Sequence, residues 1–328
     1  MASPYAAAEA VLAAYPVAGL FAGASPIQEL TRLRAALGGG PRLLVKRDDL
    51  IPFGFGGNKV RKLDLVAAEA RNAGADTLIT CGGVQSNHMR VTAAAAACLG
   101  MSAVLVANGR RQAAPTGNAR LDDLLGAEVR YVASREDRTP AMHAVWHELA
   151  SQGRRAVMIP LGASTPLGAL GFARAVRELV AQDCAPDVIV HASSSGGTQA
   201  GLVAGCELFE LGAHVIGISA DEPAAALASQ VRSLVIGMGD LLGIDGEALA
   251  DARRIAVDDE FVGEGYGIAT EASREATALV ARTEGVFLDP VYTAKAMAGL
   301  IAYVRSGRFR ADETVLFWHT GGLPGLFA

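Results

Sequence analysis

A lysine that works as a nucleophile must sit where its amine can lose a proton, and this chain offers few candidates. Among 328 residues the only lysines are Lys46, Lys59, Lys62 and Lys295. Lys59 stands out by placement. It follows Gly56-Gly57-Asn58, where two glycines allow tight turning and the asparagine suits a helix N-cap, so it falls in the first helical turn. A cation is misplaced there, because that end of the helix macrodipole prefers anions. A lysine kept against local preference suits Schiff-base chemistry through its neutral amine. The plain alternative is a surface lysine, which is the reading adopted for Lys62.

Other segments carry groups of comparable interest. Ser193-Ser-Ser-Gly-Gly-Thr-Gln-Ala-Gly201 follows an apolar run and opens a helical pattern. Its backbone N–H groups and hydroxyls, set at a helix start, suit a phosphate; an ordinary capped turn is the alternative. Ser86-Asn87-His88 offers a hydroxyl, an amide and an imidazole at another helix start, and capping accounts for only one of the three. Tyr292, in Asp289-Pro-Val-Tyr-Thr293, can act as an acid or base or pack at a domain seam. Tyr266 lies between two glycines, in a place for close ligand approach or a simple turn. G-x-x-x-x-G-K-[ST], G-x-G-x-x-G, G-x-S-x-G and H-E-x-x-H do not occur in the relevant places, and no metal site is expected.

The elements that must position these groups alternate. Strands are expected at Arg42–Lys46, Thr77–Cys81, Ala103–Val106, Glu128–Val132, Ala156–Ile159, Asp187–His191, His214–Ser219, Arg253–Val257 and Thr314–Trp318. Helices are expected at Val60–Ala73, Asn87–Leu99, Thr139–Gln152, Leu167–Ala181, Thr198–Leu211, Thr270–Thr283 and Thr293–Ser306. Strand-then-helix alternation argues for an α/β fold with mostly parallel sheets. Ligands of such sheets bind beyond the carboxyl ends of the strands. The segments there include Gly54–Lys59, Gly82–His88, Ser193–Gly201 and His319–Gly325, all rich in Gly, Ser, Thr and Asn. Their convergence on one crevice is the main functional signal.

Composition narrows the classes. At 51% hydrophobic the chain can bury a large core, and its net charge of −5 argues against nucleic acid as a partner. Cys81, Cys98, Cys184 and Cys206 are scattered without paired spacing, which suggests reduced thiols and the cytoplasm. The N-terminus lacks the positive region of a signal peptide. Val91 to Gly109 is uncharged and nearly membrane-length, but Gly100 divides it into a helix and a strand, so no membrane association is expected.

Together these residues resemble the pyridoxal-phosphate enzymes of the tryptophan-synthase-β fold type. The similarity is to the branch that contains D-cysteine desulfhydrase and 1-aminocyclopropane-1-carboxylate deaminase. It runs from about Pro26 to the end and rests on Lys46-Arg-Asp-Asp49, Gly56-Gly-Asn-Lys-Val-Arg-Lys-Leu63, Gln85-Ser-Asn-His88, Asp289-Pro-Val-Tyr-Thr293 and His319-Thr-Gly-Gly322. The resemblance implies two three-layer α/β domains with pyridoxal 5'-phosphate between them, and a homodimer. Residues 1–58 and 168–328 would form the large domain and 59–167 the smaller inserted one. Lys59 then matches the lysine that holds the cofactor as a Schiff base. Asn87 matches the amide beside the pyridine 3'-oxygen, and Ser86 the hydroxyl near the substrate carboxylate. Ser195, Gly196, Gly197 and Thr198 match the phosphate cup. Tyr266 and Tyr292 match the active-site tyrosines, and Thr320 a threonine near the pyridine nitrogen.

Three positions choose within the branch. The cyclopropane deaminases typically have Glu, Gln and Leu where this chain has Thr293, His88 and Thr320. These point to the D-cysteine type, with His88 and Thr293 expected on the substrate side. A neutral hydroxyl near the pyridine nitrogen suffices where sulfur is the leaving group. The expected reaction is β-elimination from D-cysteine, giving pyruvate, hydrogen sulfide and ammonia. Cyclopropane deamination, or action on L-cysteate or a D-serine analogue, is the alternative. A non-catalytic protein using the Ser/Gly loop for a phosphorylated ligand is the rival from another class.

Overall fold

The computed structural model describes residues 4–251 and 254–328. Its strands are β1 (Ile27–Glu29), β2 (Arg42–Arg47), β3 (Thr77–Gly83), β4 (Ser102–Asn108), β5 (Glu128–Val132), β6 (Ala156–Met158), β7 (Val188–Ser193), β8 (His214–Ser219), β9 (Ile255–Asp258) and β10 (Thr314–His319). They form a larger sheet, β1-β2-β10-β7-β8-β9, and a smaller one, β5-β4-β3-β6. Among the described residues only the β1–β2 pairing is antiparallel.

The helices are α1 (Ala6–Ala14), α2 (Thr31–Ala36), α3 (Asn58–Asn72), α4 (Asn87–Cys98), α5 (Gly117–Leu124), α6 (Arg138–Ser151), α7 (Pro166–Ala181), α8 (Gly197–Leu208), α9 (Ala224–Leu242), α10 (Gly246–Leu249), α11 (Glu271–Glu284) and α12 (Thr293–Arg305). They cover both faces of each sheet, so successive strand residues enter opposite cores. Val188, Val190, Val315 and Phe317 pack with residues of α11 and α12. Their neighbours Ile189, Leu316 and Trp318 pack with α7, α8 and α9. In the smaller sheet Leu78 and Leu105 face α3 and α4, while Ile79, Val104 and Val106 face α6. Each fully buried side chain of this kind contributes roughly 1.5–3 kcal/mol.

Every expected strand has its counterpart, displaced by a residue or two at the ends, although Arg253 lies outside the described residues. The three-residue β1 was not anticipated. All seven expected helices are present, but α1, α2, α5, α9 and α10 were not foreseen. The longest of these, α9, contains Gly237 and Gly239, a residue type that weakens a helical pattern. Gly239 is there because a Cβ on it would stand 2.3 Å from Gly246 Cα, where α10 crosses. Val91–Gly109 divides as expected, into α4, a turn at Gly100 and β4. No helix among the described residues is long and apolar enough to cross a membrane.

An ion network locks the start of α3 to the larger sheet. Arg61 donates Nε and Nη2 to the two carboxylate oxygens of Asp48, at 2.8 and 2.7 Å, and Nη1 to Glu178 of α7 at 2.8 Å. Lys46 pairs with the same Glu178, and Trp318 Nε1 donates to Asp48 at 2.8 Å. Lys46, Asp48 and Arg61 are all buried. Much of the motif similarity in Lys46–Asp49 and in the residues after Lys59 therefore reflects this anchor rather than the chemistry.

Candidate active site

The carboxyl ends of β3, β4, β7 and β10 open onto one cavity. Its lining includes Lys59, Ser86, Asn87, His88, Ser195, Gly196, Thr198, Tyr266, Tyr292 and Thr320. Of the candidate residues only Gly197 and Thr293 fall outside it. Gly197 sits directly behind, its N–H donating to Ser195 O at 3.0 Å and to Ser164 Oγ at 3.3 Å. Thr293 is fully buried and corrects the expectation of a substrate contact. Its hydroxyl donates to Asp289 Oδ1 at 2.6 Å and accepts from Asp289 N–H at 2.7 Å. The Asp289 carboxylate also accepts from the N–H groups of Val291, Tyr292 and Thr293, at 3.0, 3.0 and 2.8 Å. Thr293 thus fixes the turn that presents Tyr292.

Lys59 occupies the first turn of α3, as the sequence predicts, but the N-cap is Gly57 rather than Asn58. Gly57 has φ +98°, and a Cβ on it would lie 2.8 Å from Thr320 O; a Cβ on Gly321 would lie 2.5 Å from Gly57 Cα. The two glycine pairs therefore let backbones touch, which places Lys59 and Thr320 on one wall. Asn58 is freed from capping and donates Nδ2 to Thr198 Oγ1 at 2.9 Å, joining α3 to the Ser/Gly loop. Burial is the main cause that lowers the Lys59 pKa to about 8. The Arg90 guanidinium adds to this and the Asp289 carboxylate opposes it.

Lys62 is a correction. It is buried, not on the surface, and its Nζ donates to Gly162 O at 3.2 Å and to Ser164 Oγ at 3.1 Å. No carboxylate pairs with it among the described residues, and burial, with Lys59 adding to it, pushes its pKa well down. Ser164 Oγ in turn lies 2.7 Å from Ser195 Oγ. The i, i+3 spacing of the two lysines on one helix was the available signal for this arrangement. Gly162 and Ser164, from the connection before α7, carried none.

Ser86 caps α4, accepting from Met89 N–H at 3.3 Å. The Thr80 hydroxyl donates its one hydrogen to Ile159 O at 2.8 Å, so it accepts from His88 Nε2 at 2.7 Å. Nε2 therefore carries the imidazole proton, and burial followed by the two lysines holds the His88 pKa well below its ordinary value. His88 is a neutral wall. Tyr266 and Tyr292 share a hydrogen bond between their hydroxyls, with ring centroids 5.9 Å apart. Burial raises the pKa of both, Tyr292 the more strongly. At the mouth, Arg135 stacks over the Tyr266 ring at 4.7 Å and lies 3.6 Å from Asp221. Nothing in the sequence singled out Arg135 or Asp221.

The geometry thus joins a near-neutral amine, a serine-lined recess backed by the buried Lys62 amine, and a pair of tyrosines. The family model for pyridoxal-phosphate dependent enzymes matches residues 19–321. The chain belongs to that family. Pyridoxal phosphate is accordingly its cofactor, and the enzyme is α/β in the manner of tryptophan synthase β. It is 39% identical over 326 residues to D-cysteine desulfhydrase from Salmonella choleraesuis (strain SC-B67), covering 97% of both chains. The D-cysteine desulfhydrase of Klebsiella pneumoniae (strain 342) matches at the same identity and coverage. A crystal structure of an ACC deaminase homologue superposes with a TM-score of 0.90 at 36% identity, covering 99% of this chain and 97% of that one. Threonine deaminase isoform 2 from Solanum lycopersicum shares the fold, with a TM-score of 0.68 at 18% identity, covering 96% of this chain and 83% of that one.

The residues present fit this cofactor on structural grounds. Lys62 is a buried amine without a counter-charge, and Ser193 Oγ is a buried hydroxyl without a partner at the cavity wall. A phosphate dianion satisfies both. Lys59 supplies the amine that its aldehyde requires.

Proposed function

We propose that the enzyme eliminates the β-substituent of a small amino acid, with D-cysteine as the leading substrate and pyruvate, hydrogen sulfide and ammonia as products. One observation carries the reading. The Lys59 amine, its pKa lowered to about 8, shares a cavity with a hydrogen-bonded tyrosine pair and a neutral threonine. Bound pyridoxal phosphate supplies an electron sink for the charge that develops at Cα.

The chain's own groups do the rest. Ser195, Gly196, Thr198 and Lys62 would hold the phosphate, with Gly197 behind them leaving room for Lys62 Nζ, while Asn87 would meet the ring oxygen and Thr320 the ring nitrogen. Ser86 and Asn87, at the start of α4, receive the substrate carboxylate, favoured by that end of the helix dipole. Lys59 Nζ, its pKa lowered by burial, would take the Cα proton. The linked hydroxyls of Tyr266 and Tyr292 pass a proton to the departing sulfur, so hydrogen sulfide leaves neutral. Free 2-aminoacrylate then takes up water and yields pyruvate and ammonia. Thr320, as a neutral neighbour of the ring nitrogen, supports elimination of a good leaving group. The high identity to the two desulfhydrases supports the same choice.

The fold similarity to an ACC deaminase homologue keeps ring opening of 1-aminocyclopropane-1-carboxylate as the second reading. Sulfide and pyruvate from D-cysteine, set against 2-oxobutyrate from the cyclopropane, separate the two; product only from the latter overturns the first. Lys59→Ala is expected to abolish both activity and the yellow colour of the bound cofactor. We read the chain further as a cytoplasmic homodimer. Its larger domain would comprise residues 1–58 and 168–328 and its smaller one residues 59–167, as the two sheets suggest. Light scattering of the purified protein tests the dimer.

A further inference from the structure

Asn87 lines the cavity, and its usefulness there depends on which end of its amide faces inward. The N–H₂ end donates; the oxygen end only accepts. The two ends are told apart by their partners. Asn87 Oδ1 accepts from Asn118 Nδ2 at 2.9 Å. Asn118 is itself held in one sense, because the same Nδ2 donates at 2.9 Å to the backbone carbonyl of Gln85, a group that cannot donate. Gln85 is likewise fixed. Its Oε1 accepts from Asn118 N–H at 2.8 Å, and its Nε2 donates to Thr116 O at 3.1 Å. Asn118 is completely buried near the start of α5, which packs against the C-terminal turn Leu323–Phe327.

We propose that Asn118 is a positioning residue that turns the Asn87 amide so that its N–H₂ faces the cofactor ring. This rests on the reading of Asn87 given above. An accept-only backbone carbonyl orients Asn118, Asn118 takes the oxygen of Asn87, and the donor of Asn87 is left for the cavity. A donor to a ring oxygen stabilises the oxygen's anionic form and lowers the pH at which the bound cofactor changes colour.

The test follows the pH-dependent absorbance of the holoenzyme. Asn118→Asp replaces the donor by an acceptor, which rotates Asn87 and withdraws its N–H₂ from the ring. The midpoint of the colour change is expected to rise by about one pH unit. In an Asn87→Leu background the same substitution is expected to produce no further shift. An unmoved midpoint in folded Asn118→Asp overturns the proposal. So does a shift that persists with Leu at position 87, since it would then arise from the new charge. If Asn118→Asp does not fold, Asn118→Leu serves: it releases Asn87 without forcing the rotation, so a smaller upward shift supports the proposal and none overturns it. Wild-type colour that Lys59→Ala abolishes keeps the underlying reading in place whatever the Asn118 variants do. A wild type that stays colourless with added pyridoxal phosphate removes that reading and this inference with it.

Discussion

An amine with a pKa of about 8 is roughly one-tenth neutral at pH 7, about three hundred times more than an ordinary lysine at 10.5. Burial at Lys59 disfavours the ammonium, so the neutral fraction rises with pH and levels off above about pH 8. The rate at which cofactor-free enzyme captures pyridoxal phosphate is expected to follow that curve, measured by stopped-flow absorbance; a rate still climbing steeply at pH 10 contradicts it. Lys62 makes a two-sided prediction. Lys62→Met should weaken cofactor affinity about ten- to a hundredfold, the worth of a hydrogen bond to a charged group. The same change removes a buried amine that has no counter-charge, so the cofactor-free protein should become more stable. Fluorescence titration and thermal unfolding read the two effects separately.

At the scale of elements, α3 carries both lysines and owes its position to Arg61. Breaking a buried ion pair from one side typically costs about 3–5 kcal/mol, because the remaining charges lose their partner. Arg61→Ala should destabilise the chain by that order, with buried Asp48 left without its counter-charge and Glu178 held by Lys46 alone, as urea denaturation would show. Gly321→Ala should act differently. Its Cβ would enter the space of Gly57 Cα, so the two backbones must part and Lys59 must separate from Thr320. Activity is expected to fall at least tenfold while the ion network stays intact. The sequence made α3 and Lys59 legible because Gly56-Gly57 and the apolar spacing are local signals. It misread Lys62, because burial three residues on is decided by Gly162 and Ser164 a hundred positions away. It misplaced Thr293 for a similar reason: a threonine after a tyrosine does not reveal that its hydroxyl serves Asp289.

Across the whole molecule the two sheets meet around one cavity, and Arg135 crosses its mouth. Arg135 comes from the connection between β5 and α6 of the smaller sheet; Asp221 and Tyr266 belong to the side of the larger one. The Arg135 side chain is 43% exposed, so the ion pair itself contributes little to stability, about 0–1 kcal/mol. Arg135→Ala is therefore expected to leave the unfolding midpoint nearly unchanged but to raise KM several-fold. Added salt should produce a weaker version of the same effect, through screening. A fall in stability matching the loss of activity would assign Arg135 to the scaffold instead.

The sequence by itself determined what depends on near neighbours along the chain. The alternation of strands and helices, the helix start at Lys59 and the serine–glycine loop after β7 all follow from local periodicity and turn chemistry. Five short segments together also carried the family. Tertiary structure alone decided which polar groups are spent and which are free. Ser86 caps a helix, Thr293 secures a turn, Arg61 anchors α3, Lys62 is left without a counter-charge and Ser193 Oγ without a partner at the cavity wall. The reason is physical: a hydrogen bond or a desolvated charge is defined by atoms brought together from distant positions, and no local pattern records them.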